Sequence, residues 1–311
     1  MEICEVDATQ YSVVFPKPYH VFNAAAFNAV NAYKCEQVFY LLFQDPKVRL
    51  GIIFGVRDNK LVSPFSAPFG GFEATSEDVR LQQIDGALEA LTNWAKAKNF
   101  AGIKIIAPSF FYNPNFLNKV FNSLYRSNFE NANIELNYQF PTYKFDENYE
   151  TTIWYNARKN LKRALKADLT FDKLESENGQ LAYNVIAQNR KERGFPLRMT
   201  WEQVTETMSV INVDFFLVKK GEDHIGAAVI FHVAKGIVQV VYWGDLPQYS
   251  ESKTMNFLSY HVFKYYKELG VEMVDIGPST EDSIPNNGLC EFKESIGCDI
   301  SIKTEFYKKL I

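Results

Sequence analysis

The stretch His224-Ile225-Gly226-Ala227-Ala228-Val229-Ile230-Phe231 decides the fold, because its pattern also stands earlier as Arg49-Leu50-Gly51-Ile52-Ile53-Phe54. A short apolar run bounded by turn residues reads as a strand. After the later run come a turn at Ala234-Lys235-Gly236, a strand from Ile237 to Tyr242, and Trp243-Gly244-Asp245. After the earlier run come the turn Arg57-Asp58-Asn59-Lys60, a strand from Leu61 to Phe65, and Pro68-Phe69-Gly70-Gly71. A long amphipathic helix is then expected in each half, from Ser76 to Lys98 and from Ser252 to Leu269. In the second of these, Met255, Leu258, Val262, Tyr265 and Leu269 recur at helical spacing and predict a buried stripe. Each half then reaches a strand that ends in Pro-Ser, at Pro108-Ser109 and at Pro278-Ser279.

Working outward, Gly51 aligns with Gly226, Gly70 with Gly244 and Ser109 with Ser279, at an offset that shrinks slightly along the chain. Self-similarity at a nearly fixed offset is the mark of a repeat. Each half closes with a helix and a strand: Pro114 to Arg126 and Ile134 to Phe145, then Asn287 to Ile296 and Asp299 to Phe306. The expectation is an α/β fold (α+β, mixed sheet) built as two tandem units. The domains are expected at 1–148 and 149–311, with the active site in the second.

Composition narrows the class. Of the 311 residues, 47% are hydrophobic and 23% charged, which fits a globular chain and excludes a disordered one. The net charge of −4 offers no global attraction for DNA or anionic lipid, so any anion site must be local. Cys4, Cys35, Cys290 and Cys298 show no metal-type spacing and are too few to staple the chain. They read as free thiols in a reducing compartment, and the expected localisation is cytoplasmic. The first ten residues carry Glu2, Glu5 and Asp7 and do not read as a signal peptide. Apolar runs such as Val38 to Phe43 are of strand length, and no membrane span is expected.

The tandem order resembles a known group at particular residues. Asn287-Gly288-Leu289, Phe292-Lys293 and Ser295-Ile296-Gly297 resemble the Fem-type peptidoglycan aminoacyltransferases, a tandem-domain branch of the GNAT acyltransferase superfamily. The aromatic and glycine-rich stretch from Ser63-Pro64 to Gly70-Gly71 is similar to their first unit. The resemblance implies two GNAT-like domains and transfer of an acyl group from a thioester, acyl-CoA, to an amine on a small molecule or peptide. It also implies a splayed pair of central strands that bares a backbone N–H to the donor carbonyl. Donor phosphates are implied at the start of the helix after the fourth strand, where free N–H groups and the helix dipole favour anions. That place is Leu246 to Lys253, where Ser252 is expected to cap the helix and Lys253 to add charge. The usual signature of Gln or Arg, two residues, Gly, one residue, then Gly or Ala is absent there, as it is from Fem-type proteins. The alternative implied is aminoacyl transfer from tRNA to a cell-wall precursor. A further alternative is a GNAT-like protein that binds a ligand without catalysis.

Several residues stand out as candidates. Arg158, Lys159, Lys162, Arg163 and Lys166 share one helical face, opposite Ile153, Trp154, Ala157, Leu161, Ala164 and Leu165. Arg158, Lys162 and Arg163, with Ser252 and Lys253, are the expected donor-binding residues. Arg190 and Arg193 end a helix before Gly194, and with Phe292 and Trp243 they are the expected acceptor-binding residues. The resemblance puts Lys293 beside the reacting carbonyl, where a fixed positive charge stabilises an oxyanion. Asp275 is expected as base, with Asp245, Glu281 and Asp282 as further candidates, because carboxyl ends of strands meet clefts. Tyr242 or Tyr249 is expected to protonate the leaving group. His20, His224, His232 and His261 are scattered, so no metal is expected. No P-loop, dinucleotide fingerprint or Gly-x-Ser-x-Gly is present, which leaves ATPase, dehydrogenase and hydrolase readings without support.

Overall fold

The structure, a computed structural model, describes residues 1–310. In chain order its first elements are β1 (Glu2–Val6), α1 (Ala8–Val14), α2 (Ala25–Val30), β2 (Val38–Gln44), β3 (Val48–Arg57), β4 (Lys60–Ser63), β5 (Glu73–Ala74), α3 (Leu81–Ala97), β6 (Gly102–Ala107), α4 (Pro114–Arg126) and β7 (Glu130–Pro141). There follow α5 (Tyr149–Thr152), α6 (Tyr155–Ala164), β8 (Thr170–Leu174), α7 (Gly179–Arg193), α8 (Trp201–Met208), β9 (Val213–Lys220), β10 (Asp223–Ala234) and β11 (Ile237–Asp245). The chain continues with α9 (Thr254–Glu268), β12 (Met273–Pro278), the short pair β13 (Thr280–Glu281) and β14 (Ile284–Pro285), α10 (Asn287–Ser295) and β15 (Asp299–Lys309). Mixed α/β architecture is thus observed as expected.

By internal contacts the chain forms two compact units. Unit 1 takes Met1–Glu135 together with the chain from Ile302 onward, and unit 2 takes Leu136–Ser301. The boundary expected at 148/149 rests on sequence similarity alone, whereas these units are divided by contacts in space. The two divisions differ because β7 leaves unit 1 for unit 2 and the last strand returns to unit 1.

In unit 1 the sheet runs β1–β2–β3–β4–β6, then the later part of β15. All its neighbours are antiparallel except β4 and β6, the pair joined across α3. Such a parallel pair needs a crossover, and α3 supplies it. Ile84, Leu88 and Leu91 of α3 are buried in the same core as Leu41, Phe43, Ile52 and Phe54 of the sheet. Helix α4 starts where its sequence says, because Pro114 occupies its first turn and Asn113 accepts the Phe116 N–H.

In unit 2 the order is β7–β12–β11–β10–β9–β8, with β7 entering at Leu136. Again one pair, β11 and β12, is parallel, and α9 makes the crossover. The α9 face buries Leu258, Val262, Phe263 and Tyr266, and Phe263 stacks on Phe140 of β7 with ring centroids 3.8 Å apart. Of the expected stripe, Leu258 and Val262 are buried, Met255 and Tyr265 are partly covered, and Leu269 is exposed.

Element boundaries differ from expectation, most of all in α3 and β7. Helix α3 begins at Leu81, not Ser76, because the Ser76 hydroxyl bonds Asp78 and ties those residues into a turn. Strand β7 starts earlier, at Glu130, and stops at Pro141, after which Thr142–Lys144 is a short 3-10 turn. Among the described residues no helix is long and apolar enough to cross a membrane.

Candidate functional site

In unit 2, β11 and β12 pair at only three rungs: Ile237 with Met273, Val238 with Val274 and Gln239 with Asp275. Both strands run on past the last rung, β11 to Asp245 and β12 to Pro278. They therefore part as a fork. Just beyond it β11 carries a bulge, because Val229 pairs with Tyr242 while Ile230 pairs with Val240, leaving Val241 as the extra residue. Bulges re-aim backbone groups and occur next to active sites.

A buried polar row marks the base of the fork. Asp275 is 1% exposed and accepts from Asn137 Nδ2 at 2.8 Å, Gln239 Nε2 at 2.8 Å and the Gly277 N–H at 3.0 Å. Gln239 and Gln139 flank it in register on the neighbouring strands. A carboxylate so engaged is fixed in place.

The β11 arm presents alternate residues to the two sheet faces. Tyr242 meets α7, where the Arg190 guanidinium lies 5.8 Å from its ring centre and 5.8 Å from that of Phe195. Burial lowers the Arg190 pKa and raises that of Tyr242. Gly244 faces the same helix so closely that a Cβ there would stand 2.8 Å from Asn189 Cγ. Asn189 uses that approach to donate to the Asp245 carbonyl at 2.6 Å. Arg193 pairs with the Asp245 carboxylate at 3.2 Å, yet burial still holds that carboxyl above its ordinary pKa. Gly194 ends α7 at φ +69, the left-handed cap its sequence predicts. On the opposite face, Trp243 meets Phe292 of α10 edge to face, with centroids 6.2 Å apart. Lys293, next on α10, is 4% exposed and donates to the carbonyls of Ile276, Gly277 and Pro278 on the β12 arm.

Of the expected donor-binding residues, Ser252, Lys253 and Arg163 meet at the start of α9. Arg163 of α6 pairs with Glu251 at 2.6 Å in the 3-10 turn Pro247–Ser252. Ser252 does not cap the helix, contrary to expectation. Its hydroxyl accepts from Lys220 Nζ at 3.3 Å, and the residue before Thr254 is Lys253, in the left-handed region at φ 56. Side chains seldom adopt that conformation, so Lys253 is held against its backbone preference. Lys162 is exposed and Arg158 half-buried on α6. Tyr249 donates to Asp223 at 2.7 Å, and Glu281 pairs with Arg198 at 3.3 Å. Asp282 sits in the tight turn between β13 and β14 at φ 51.

Sequence reasoning missed Gln239, Asn137 and Gly277. Their signal was present: a lone Gln inside the apolar run Ile237 to Tyr242, and a Gly-Pro at a strand end.

In unit 1 the segment after β4 joins an aromatic cluster. Phe69 packs against Tyr112, His20 and Phe22 at centroid distances of 4.6, 5.0 and 5.1 Å. Among the described residues no group of three or more His, Cys, Asp or Glu side chains is placed to hold a metal ion.

No protein-family model matches the sequence, and no curated protein sequence matches it. Solved structures do. FemX superposes with a TM-score of 0.71 at 14% identity, over 100% of this chain and 98% of its own. The L-PGS structure from Bacillus licheniformis gives 0.63 at 13% identity, over 97% and 92%. A tandem GNAT protein from the clavulanic acid biosynthesis pathway gives 0.55 at 8% identity, over 100% and 98%. With the parted parallel strands of unit 2, these likenesses show that the chain has a GNAT-like fold, shared with FemX.

Proposed function

We propose that the chain is an N-acyltransferase that moves an acyl group from a thioester, acyl-CoA, to an amine on a small molecule or peptide. One observation carries the reading: β11 and β12 part at Gln239 and Asp275, directly before the bulge at Val241. Parted strands leave backbone N–H groups without ladder partners, and such donors suit a carbonyl oxygen on which negative charge develops. In this reading the chain is a tandem duplication with copies at 1–148 and 149–311. The second copy is active, and the first, whose segment after β4 packs among aromatic rings, is a scaffold. The four free thiols fit work in a reducing cytoplasm.

Lys293 adds a fixed positive charge beside the fork. Asp245 is the base we favour, because a carboxyl held above its ordinary pKa takes a proton more readily near neutral pH. Asp275, bonded through both oxygens, orients the rung rather than moving a proton. Tyr242 protonates the leaving thiolate. Donor phosphates lie between Ser252, Lys253 and the cations Arg158, Lys162 and Arg163. Glu251 yields Arg163 to them at little cost, since an exposed ion pair is worth only about 0–1 kcal/mol. The amine acceptor lies along Arg190, Arg193, Trp243 and Phe292.

Aminoacyl transfer from tRNA to a cell-wall precursor is the second reading, favoured by the full-length likeness to FemX and by the basic face of α6. Thermal shift separates the two. Stabilisation by CoA, acetyl-CoA or longer acyl-CoAs, lost on Lys162→Glu with Arg163→Glu, supports the first. A shift with aminoacyl-tRNA alone supports the second. No shift with any of them overturns both and leaves a non-catalytic binding protein.

A further inference from the structure

Three consecutive carbonyls of β12 converge on one atom. Lys293 Nζ lies 3.3 Å from the Ile276 oxygen, 2.9 Å from that of Gly277 and 3.0 Å from that of Pro278. In a regular strand successive carbonyls point to opposite sides and cannot share a donor. The backbone must turn, and it does so at Gly277, whose φ of +73 suits glycine. Two further features fix the turn. The Gly277 N–H is held by Asp275, and the pairing of β12 with β7 slips by one residue between Asp275 and Gly277. The outcome is a niche of three oxygens filled by a buried ammonium group, which also lies 5.2 Å from the centre of the Tyr138 ring.

The niche begins where the β11–β12 ladder stops. Had the strands stayed paired, β11 N–H groups would serve the β12 carbonyls past Asp275. A buried carbonyl left without a donor is destabilising, so an open fork needs a substitute donor. We propose that Lys293 is a positioning residue that keeps the fork open, its ammonium group standing in for the β11 donors in a carbonyl niche that accepts a primary ammonium ion. The inference rests on the fork alone and holds whether or not the protein transfers acyl groups.

The test uses the full chain and no substrate. In Lys293→Ala, amide hydrogen exchange over Val240 to Asp245 is expected to slow about tenfold, because freed β12 carbonyls recruit those amides. Ethylammonium chloride is expected to refill the niche, restoring fast exchange and raising Tm. Tetramethylammonium chloride at equal ionic strength, which has no N–H to donate, is expected to do neither. Exchange over Val240 to Asp245 that is unchanged from the parent, or an equal response to both cations, overturns the proposal. Should Lys293→Ala not fold, Gly277→Ala reads the same point with Lys293 present. A Cβ disfavours φ +73 and scatters the carbonyls, so slowed exchange is again expected and unchanged exchange again overturns it.

Discussion

Gln239 donates its side-chain amide to Asp275 at 2.8 Å on the last rung at which β11 and β12 pair. The bond sits where the sheet changes from closed to open, so it acts as a stop. Replacing Asp275 by Ala orphans three donors, from Asn137, Gln239 and Gly277, in a buried site. The expected loss is about 3–5 kcal/mol by urea denaturation. Asp275→Asn keeps the shape but sets one amide against another, and a smaller loss of about 1–3 kcal/mol is expected.

Glu73 gives a pH dependence of the less common sign. Its carboxyl is buried, accepts from the Tyr19 N–H and Asn23, and is pushed up to about 8 by desolvation. The folded chain therefore holds a proton on Glu73 that the unfolded chain releases near pH 4.3. Stability is expected to fall as pH rises from about 4.3 to about 8, and then to level off with respect to this group. Glu73→Gln is expected to remove that slope in thermal melts across the window. An unchanged slope would show that Glu73 is ionised in the folded chain.

Asp214 has the opposite sign. It takes His232 Nε2 at 2.6 Å, the Tyr266 hydroxyl at 2.8 Å and Lys173 at 3.1 Å. Those donors outweigh desolvation, which alone would raise the pKa, and hold the carboxyl at about 2. Its contribution is present in full above the unfolded pKa of about 3.9 and is lost as pH falls through about 2. At pH 7 Asp214→Asn is expected to cost about 2 kcal/mol, and the gap between variant and parent should narrow between pH 4 and pH 2 in denaturant titrations.

Gly244 tests the wall beside the fork. A methyl group there meets Asn189 at 2.8 Å and pushes it off the Asp245 carbonyl. Gly244→Ala is expected to destabilise unit 2 by about 1–3 kcal/mol. The double variant Gly244→Ala with Asn189→Gly is expected to recover part of that loss, a coupling that a mutant cycle measures.

Tyr242 tests the proposed chemistry. Tyr242→Phe keeps the ring beside Arg190 but removes the hydroxyl. If that group protonates the leaving thiolate, acyl transfer to an amine from an acyl-CoA the protein accepts is expected to fall about 10²-fold. The loss should shrink with a donor whose leaving thiol has a lower pKa. A uniform loss across donors would assign Tyr242 to shape alone.

Much of this architecture was legible in the residues because its signals are local. Asn113 and Pro114 announced α4, and Gly194 announced the end of α7. The alignment of Gly51 with Gly226 pointed to equivalent strands, and those glycines lie on β3 and β10, each directly beside the parallel crossover pair of its unit. What was not legible is non-local. Nothing in Asp299 to Lys309 says that its later part joins the unit made first, because strand partners are chosen by the folded sheet. The Lys293 niche was hidden for a similar reason. Phe292-Lys293 drew attention to the lysine, but its acceptors lie more than a dozen residues earlier and converge only through the turn at Gly277.

The return of the chain from Ile302 onward to unit 1 bears on biosynthesis. On the ribosome, all of unit 2 emerges before the strand that pairs with β6. Until then the nascent first half exposes a bare strand edge, open to mispairing with neighbouring chains on a polysome. The last strand to be made is thus the one that covers that edge.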